Sequence, residues 1–248
     1  MKLMMPSFRT GAPFLHQLLI SQNAEYRDHH PFNLPILEEG LRLTFQSRVT
    51  FFVGENGSGK STILEGLAEC CGYAPEGGNR DHNRFMFEQR SPFAQAMTLS
   101  WNPRVTEGFF LRAESFFNFA TYLEEVGSDF WSYGGKSLHK QSHGESFLAL
   151  FENRFEQGLY ILDEPEAALS PQRQLALLKI IHNLESPGHA QFIIATHSPI
   201  LLTYPGATLL SFDGGEVSEI QYQDTDHYRL TKDFLNSPER FHRYLFEE

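Results

Sequence analysis

The chain has 248 residues, which is enough for one α/β domain to bury a sizeable hydrophobic core. Its 20 basic and 31 acidic side chains give a formal net charge of −11, which disfavours non-specific adhesion to nucleic acid or anionic membranes. The adjacent Cys70 and Cys71 suit reduced thiols rather than a disulfide framework, and no membrane span or signal peptide is predicted, so we expect a cytoplasmic protein.

The first predicted element is a short apolar strand at residues 14–20, which we place at the edge of a sheet. Residues 23–35 are polar and interrupted by proline, and they predict a loop. Residues 41–45 alternate apolar and polar side chains, which predicts a second, half-buried strand.

An apolar run at residues 49–53 leads into a glycine-rich loop and then into a helical pattern. The loop reads Gly-x-x-x-x-Gly-Lys-Ser, in the strand, loop and helix order that the phosphate-binding motif requires. Its glycines let backbone N–H groups face a phosphate, Lys60 reaches the β- and γ-phosphates, and Ser61 offers its hydroxyl to Mg²⁺. The sequence therefore predicts a nucleotide site formed by Gly54, Glu55, Asn56, Gly57, Ser58, Gly59, Lys60, Ser61 and Thr62.

The middle of the chain predicts two strands, at residues 97–101 and 108–113, and then an aromatic-rich helical pattern. We expect one domain with a small helical subdomain inserted at about residues 114–157. The last helix of this region begins near Ser142 and carries an apolar face.

The second half predicts two buried strands that end in polar residues. Residues 159–162 are apolar and lead to Asp163 and Glu164, while residues 191–195 lead to His197. Ligands of open α/β sheets gather at the carboxyl ends of the strands, so we expect these three side chains beside the phosphate loop.

The remaining elements are a helix, a hairpin and a helical tail. The helix at residues 172–184 follows the start signals Ser170 and Pro171. A hairpin turns at residues 213–215, and the tail from residue 226 breaks near Pro238. In the helix at residues 172–184, the side chains predicted to face inward are Leu175, Leu177, Leu178, Ile181 and Leu184.

The order of these motifs resembles the ABC-type ATPase superfamily, and more closely its small stand-alone bacterial members, usually called predicted AAA-family ATPases. The matching segments are the Walker A loop at residues 54–62, the signature at 142–146, the Walker B strand at 159–164, the D-loop at 167–170 and the switch histidine, His197. The resemblance implies an α/β P-loop NTPase fold with an antiparallel β portion and a small helical subdomain.

Departures from the family pattern limit what is carried over, among them Ser170, which ends the D-loop where Asp is common. The signature reads Ser-His-Gly-Glu-Ser rather than the Leu-Ser-Gly-Gly-Gln of transporters, so only Ser142 and Gly144 are assigned. The family's Q-loop glutamine is not assigned, because Arg112 and Glu114 stand where it is expected.

The resemblance implies a magnesium-dependent ATP hydrolase that forms a head-to-tail homodimer. Each ATP would lie between the phosphate loop of one subunit and Ser142 and Gly144 of the other. Asp163 would bind Mg²⁺ with Ser61. The catalytic residues would be Lys60, Glu164 and His197, of which Glu164 polarises the attacking water and His197 contacts the γ-phosphate.

Several functions of such an ATPase remain open. We favour a soluble switch that acts on a separate protein partner, as in ATPases of DNA maintenance or phage defence. The alternative is the nucleotide-binding subunit of a transporter, which the short interval between Lys60 and Ser142 disfavours. A P-loop kinase would leave Glu164 and His197 unused, and a scaffold that hardly hydrolyses ATP would not need Glu164. DNA binding is disfavoured by the charge, and no insertion into a membrane is expected.

Overall fold

The computed structural model describes residues 11–23, 25–74, 77–80, 90–114 and 143–246. Ser142 of the predicted signature lies outside these residues, as does most of the predicted inserted subdomain. The strands are β1 Leu15–Ile20, β2 Leu41–Thr44, β3 Val49–Val53, β4 Met97–Trp101, β5 Gly108–Arg112, β6 Gly158–Asp163, β7 Ala190–Ala195, β8 Thr208–Ser211 and β9 Ser218–Glu219. The helices are α1 Lys60–Cys71, α2 Pro92–Gln95, α3 His143–Arg154, α4 Pro171–Glu185, α5 Asp226–Asn236 and α6 Pro238–Phe246.

The main sheet has six strands in the order β5-β6-β7-β3-β8-β9. The first five are paired in parallel, while β8 and β9 are antiparallel and form the predicted hairpin. Every residue of β3, β6 and β7 is buried, as expected for parallel strands that are covered on both faces.

A second, antiparallel sheet has the order β2-β1-β4 and confirms the predicted antiparallel portion. The prediction that the first strand lies at an edge was wrong, because β1 pairs on both sides and Leu18 lies opposite Leu43 and Leu99. The buried Gln191 side chain joins the two sheets. Its Oε1 accepts hydrogen bonds from the backbone N–H groups of Phe14 and Leu15, both at 2.8 Å.

Two hydrophobic cores lie on opposite faces of the main sheet, because successive side chains of a strand point to opposite sides. Phe51 belongs to the core beneath α3 and α4, while Phe52 belongs to the core that holds α1 and the small sheet. Helix α1 packs closely between the sheets: a Cβ atom on Gly66 would lie only 2.4 Å from Cε of Met97. The result is a layered α/β architecture with the phosphate loop at the start of α1.

Helix α3 packs on the main sheet through a row of aromatic rings. The ring centroids of Phe151 and Phe155 are 4.4 Å apart, and those of Phe155 and Tyr160 are 4.0 Å apart. Stacked and tilted rings at this spacing stabilise the packing beyond simple burial. The apolar face predicted for this helix is therefore confirmed.

Helix α4 confirms the predicted start but corrects one side chain. Ser170 occupies the N-cap position and Pro171 the first helical position. Leu177 and Ile181 are fully buried, but Leu175 is 57% exposed, so the prediction that it faces inward was wrong. Successive helical residues turn by about 100°, which places Leu175 on the opposite face from Leu177.

The tail forms the two predicted helices, α5 and α6, which meet at Ser237. Neither helix has a buried residue, and Leu230, Leu235 and Tyr244 are largely exposed. Among the described residues, no helix is both long enough and apolar enough to span a membrane.

Candidate nucleotide-binding site

The parallel register brings the predicted site residues to one edge of the main sheet. Phe52 lies opposite Ala195, and Ala195 lies opposite Asp163 on its other side. Val53 lies opposite Ser211 of β8. The segments that follow these strands therefore meet where the phosphate loop emerges, as expected for the carboxyl edge of an open α/β sheet.

The phosphate loop adopts a conformation that depends on glycine. Gly57 has a φ of 83° and Gly59 a φ of 101°, values that side chains with a Cβ rarely adopt. Gly59 is the N-cap of α1, and no side chain of the described residues caps the helix. The first N–H groups of the helix have no intrahelical partner, so they can bind phosphate oxygens. Glu55 and Asn56 are exposed on the loop, and Thr62 is half-buried in the first turn of α1.

The ammonium group of Lys60 is folded into the phosphate loop. Its Nζ donates hydrogen bonds to the carbonyl oxygens of Gly54 at 2.6 Å and Glu55 at 2.9 Å. Burial lowers the pKa of Lys60, and the nearby carboxylates of Glu164 and Asp213 oppose that shift. The side chain is thus already desolvated and positioned where a phosphate would enter.

Ser61 and Asp163 offer two oxygen ligands side by side. The Ser61 hydroxyl donates a 3.0 Å hydrogen bond to Oδ1 of Asp163, whose side chain is only 3% exposed. Burial raises the pKa of Asp163 to about 6, against the opposing effects of the Ser61 hydrogen bond and of Arg112, whose Nε lies 3.7 Å from Oδ2. Hydroxyl and carboxylate oxygens are the ligands that Mg²⁺ prefers, so this pair fits the ion predicted from the sequence.

Glu164 and His197 face each other next to the loop. Oε1 of Glu164 lies 3.4 Å from Nε2 of His197. Glu164 has a left-handed backbone with φ 50° and ψ 52°, held by a hydrogen bond from its N–H to the Ala195 carbonyl oxygen. Such a conformation costs about 1–3 kcal/mol in a residue other than glycine, and it is often found at functional sites.

Gly144 lies beside the D-loop of its own chain. A Cβ atom on it would lie 2.5 Å from Nη1 of Arg173 and 3.1 Å from the carbonyl oxygen of Ala168. Arg173 also forms a 3.1 Å ion pair with Glu145. The start of α3 is therefore packed against the short 3₁₀ helix Pro165–Ala168 and the first turn of α4.

A buried polar network connects the D-loop with the segment after His197. The Ser198 hydroxyl donates a 2.5 Å hydrogen bond to Oε1 of Gln174, and Nε2 of Gln174 donates to the carbonyl oxygen of Leu169 at 3.1 Å. Gln174 and Ser198 are both buried. This network holds the two segments that flank Glu164 and His197 in a fixed relation.

Four residues at this edge were not predicted to be in the site. Arg112 approaches Asp163, Asp213 accepts a 2.8 Å hydrogen bond from the N–H of Glu55, and Glu166 accepts a 2.6 Å bond from the N–H of His197. His227 contacts His197 from α5. Parallel pairing of β5 with β6 would have indicated Arg112, but nothing in the sequence indicates that β8 lies next to β3 or where α5 packs.

A separate cleft of about 610 Å³ lies at the opposite end of β3. Arg48, Val49, Glu185 and Tyr204 are among the residues that line it. Because Val49 begins β3 and the phosphate loop follows its last residue, this cleft is distinct from the candidate site.

Comparisons with known proteins match two parts of the chain to family models. Residues 30–100 match an AAA domain, and residues 147–203 match an AAA domain described as putative AbiEii toxin, Type IV TA system. A comparison with curated protein sequences finds no match.

Solved structures resemble most of the chain. An SMC head bound to the C-winged helix domain of ScpA has a TM-score of 0.52 and 12% identity, covering 84% of this chain and 98% of that one. The protein cbiO1 from Clostridium perfringens, part of the ABC transporter complex cbiONQ, has a TM-score of 0.50 and 17% identity, covering 92% and 98%. These likenesses confirm the predicted α/β fold of an ABC-type P-loop ATPase, and with the family matches they confirm the predicted resemblance.

Proposed function

We propose that the protein binds ATP with Mg²⁺ at residues 54–62 and hydrolyses it. The observation that carries this proposal is the convergence of Lys60, the hydrogen-bonded pair of Ser61 and Asp163, and the facing pair of Glu164 and His197 at one edge of the sheet. These groups can contact a phosphate ester, a divalent cation and an attacking water, respectively.

The phosphates of ATP would take over contacts that the loop now makes with itself. Nζ of Lys60 would exchange the carbonyl oxygens of Gly54 and Glu55 for phosphate oxygens. Because Lys60 is already buried, its desolvation is completed on folding and adds little cost to binding. The uncapped N-terminus of α1 adds backbone donors and positive potential.

Ser61 and Asp163 would hold Mg²⁺, which supplies positive charge that neutralises the developing charge on the phosphates. Arg112 lies close enough to Asp163 to favour its ionised form before the cation binds. Asp163 is thereby available as an anionic ligand despite its burial.

Glu164 would orient and polarise the attacking water, and His197 would contact the γ-phosphate through Nε2. Glu164 Oε1 and His197 Nε2 are 3.4 Å apart, so the attacking water and the γ-phosphate that they would contact can lie next to each other. Glu166 fixes the backbone of His197 by accepting its N–H at 2.6 Å. This arrangement supports hydrolysis better than transfer of the phosphoryl group to a second substrate, because hydrolysis gives both Glu164 and His197 a role.

The second half of each site would come from another copy of the chain in a head-to-tail homodimer. The amino end of the signature helix, with Ser142 and the Gly144 amide, would supply positive potential to the γ-phosphate from across the interface. The buried packing of Gly144 on Ala168 supports this, because it would fix the signature segment to the D-loop that flanks Glu164. We propose that the dimer acts in the cytoplasm on a separate protein partner, with residues 114–157 as the helical subdomain.

Replacement of Glu164 by glutamine tests the hydrolysis proposal. Glu164→Gln keeps the size of the side chain but removes the base, so phosphate release should fall about 10²- to 10⁴-fold while Mg²⁺-dependent ATP binding is retained. The matched control is Glu156→Gln, an exposed side chain after α3, which should leave both values unchanged. Unchanged phosphate release by Glu164→Gln, or a phosphorylated acceptor as the product, would contradict the proposal.

A further inference from the structure

A histidine from the C-terminal helical pair binds the histidine of the candidate site. Nδ1 of His197 lies 2.6 Å from Nε2 of His227, the second residue of α5. The ring centroids are 4.6 Å apart and the planes are tilted by 53°. This short contact is a hydrogen bond, so one of the two nitrogen atoms donates a proton and the other accepts it.

The other side of the His197 ring decides where the proton lies. Nε2 of His197 is buried, forms no hydrogen bond within the described part of the chain, and lies 3.4 Å from a carboxylate oxygen of Glu164. A bare Nε2 lone pair would face that negative oxygen unfavourably. A proton on Nε2 is therefore favoured, and in neutral His197 this leaves Nδ1 as the acceptor and His227 as the donor.

The groups around His197 agree with a neutral ring. Burial lowers the pKa of His197, the charge of Lys60 and the His227 ring act in the same direction, and the carboxylates of Glu164 and Glu55 oppose it. Glu166 faces the backbone N–H of His197. In neutral His197 the Glu164 carboxylate favours the tautomer with the proton on Nε2, and a hydrogen-bond donor at Nδ1 stabilises the same tautomer.

The first turn of α5 is fixed to the short segment that precedes it. Thr225 is buried, caps the helix by accepting the N–H of Tyr228, and donates its hydroxyl to the carbonyl oxygen of Tyr222. The rings of Tyr222 and Tyr228 meet edge to face at 5.2 Å. His227 lies between Thr225 and Tyr228 in this capped turn, so the cap helps to fix the position of its side chain.

We propose that His227 is a positioning residue, which donates a hydrogen bond to Nδ1 of His197, holds Nε2–H toward the γ-phosphate, and links the position of α5 to hydrolysis. This inference rests on the proposed function, because it assigns His227 a role in the same reaction. In contrast to Lys60 or Glu164, His227 acts only through His197.

The test compares three replacements of His227 or its seat with one control. His227→Phe keeps an aromatic ring but removes the donor, and His227→Gln restores a donor. Thr225→Val loosens the first turn of α5 without altering either imidazole. The control is His242→Phe, the same substitution at an exposed position on α6.

Two readouts are measured for every variant, after thermal unfolding has shown that it folds. The first is the pair of ring ¹⁵N shifts of His197 in the protein without nucleotide, which report the tautomer. The second is the split between kcat and KM for phosphate release from ATP. His227→Phe should lose the single tautomer and reduce kcat about 10-fold or more with KM nearly unchanged, a loss of the size found for hydrogen-bond partners of metal-ligating histidines. His227→Gln should recover most of both signals, Thr225→Val should fall between, and His242→Phe should match the wild type.

Unchanged ¹⁵N shifts in His227→Phe would overturn the inference, as would changed shifts with unchanged kcat. If His227→Phe does not fold, the loss of both signals in a folded His227→Gln would also overturn the inference. If the wild type releases no phosphate, the proposed function fails, and the ¹⁵N shifts alone then decide whether His227 positions His197.

Discussion

At the scale of single residues, the candidate site keeps a carboxyl group buried at a cost to stability. Asp163 has an ordinary pKa of 3.8, which burial raises to about 6 in the folded chain. Between these two values the folded state binds more protons than the unfolded state, so stability falls as the pH rises from about 4 to about 6 and remains lower above pH 6. The ionised group that the cation requires therefore destabilises the nucleotide-free protein.

Asp163→Asn should consequently stabilise the protein in the absence of nucleotide and Mg²⁺. At pH 8 the free energy of unfolding should rise by about 1–3 kcal/mol, because the amide carries no buried charge and still accepts the Ser61 hydrogen bond. The difference from wild type should shrink toward pH 4. Urea denaturation at pH 4, 6 and 8 measures it, with the exposed Asp233→Asn as control. A variant less stable than wild type at pH 8 would contradict this explanation.

The residues of the site differ in how far the sequence could predict them. Lys60, Asp163 and His197 lie in short motifs that follow apolar strands, so their place at one edge follows from local pattern and parallel pairing. Asp213 could only be read as a turn residue, because its contact with Glu55 depends on β8 lying next to β3.

At the scale of elements, a polar network fixes the start of α4 to the loop after β7. Gln174 bridges the Ser198 hydroxyl and the carbonyl oxygen of Leu169, and both Gln174 and Ser198 are buried. Since Leu169 follows Glu164 and Ser198 follows His197 along the chain, the network connects the elements that carry both groups.

Gln174→Met should reduce the free energy of unfolding by about 1–3 kcal/mol, because a side chain of similar size leaves a buried hydroxyl and a carbonyl without their partner. Chemical denaturation measures this loss, and the exposed Gln172→Met on the same helix is the control. The double variant with Ser198→Ala should lose less than the sum of the two single variants, since they share one interaction. If the losses in the free energy of unfolding are additive, the hydrogen bond between Gln174 and Ser198 does not contribute to stability.

The surroundings of β1, Leu175 and α5 depend on contacts that their own sequences do not indicate. The apolar run of β1 gave no sign of a second partner strand, and only the fold places β4 on its free side. Leu175 was assigned to the buried face because it is apolar, although its position on the helix is opposite to Leu177 and Ile181. The position of α5 depends on one capped turn at Thr225, which no periodicity indicates.

In the whole molecule, the proposed ATP site is completed by a second copy of the chain. Gly144 lies against the D-loop of its own chain, while Lys60 folds into the phosphate loop. In the proposed dimer, the phosphate loop of one subunit and the segment around Gly144 of the other contact the same ATP. ATP should therefore hold the two subunits together until it is hydrolysed. The interface would then form and dissolve with each turnover.

Sedimentation of the wild type and of Glu164→Gln, each with and without ATP and Mg²⁺, tests whether ATP holds two subunits together. Because Glu164→Gln should bind ATP without hydrolysing it, this variant should become a dimer only when ATP and Mg²⁺ are present. The wild type should return to a monomer as phosphate is released. If both proteins bind ATP and neither changes its mass, the head-to-tail dimer and the role of Ser142 and Gly144 are contradicted.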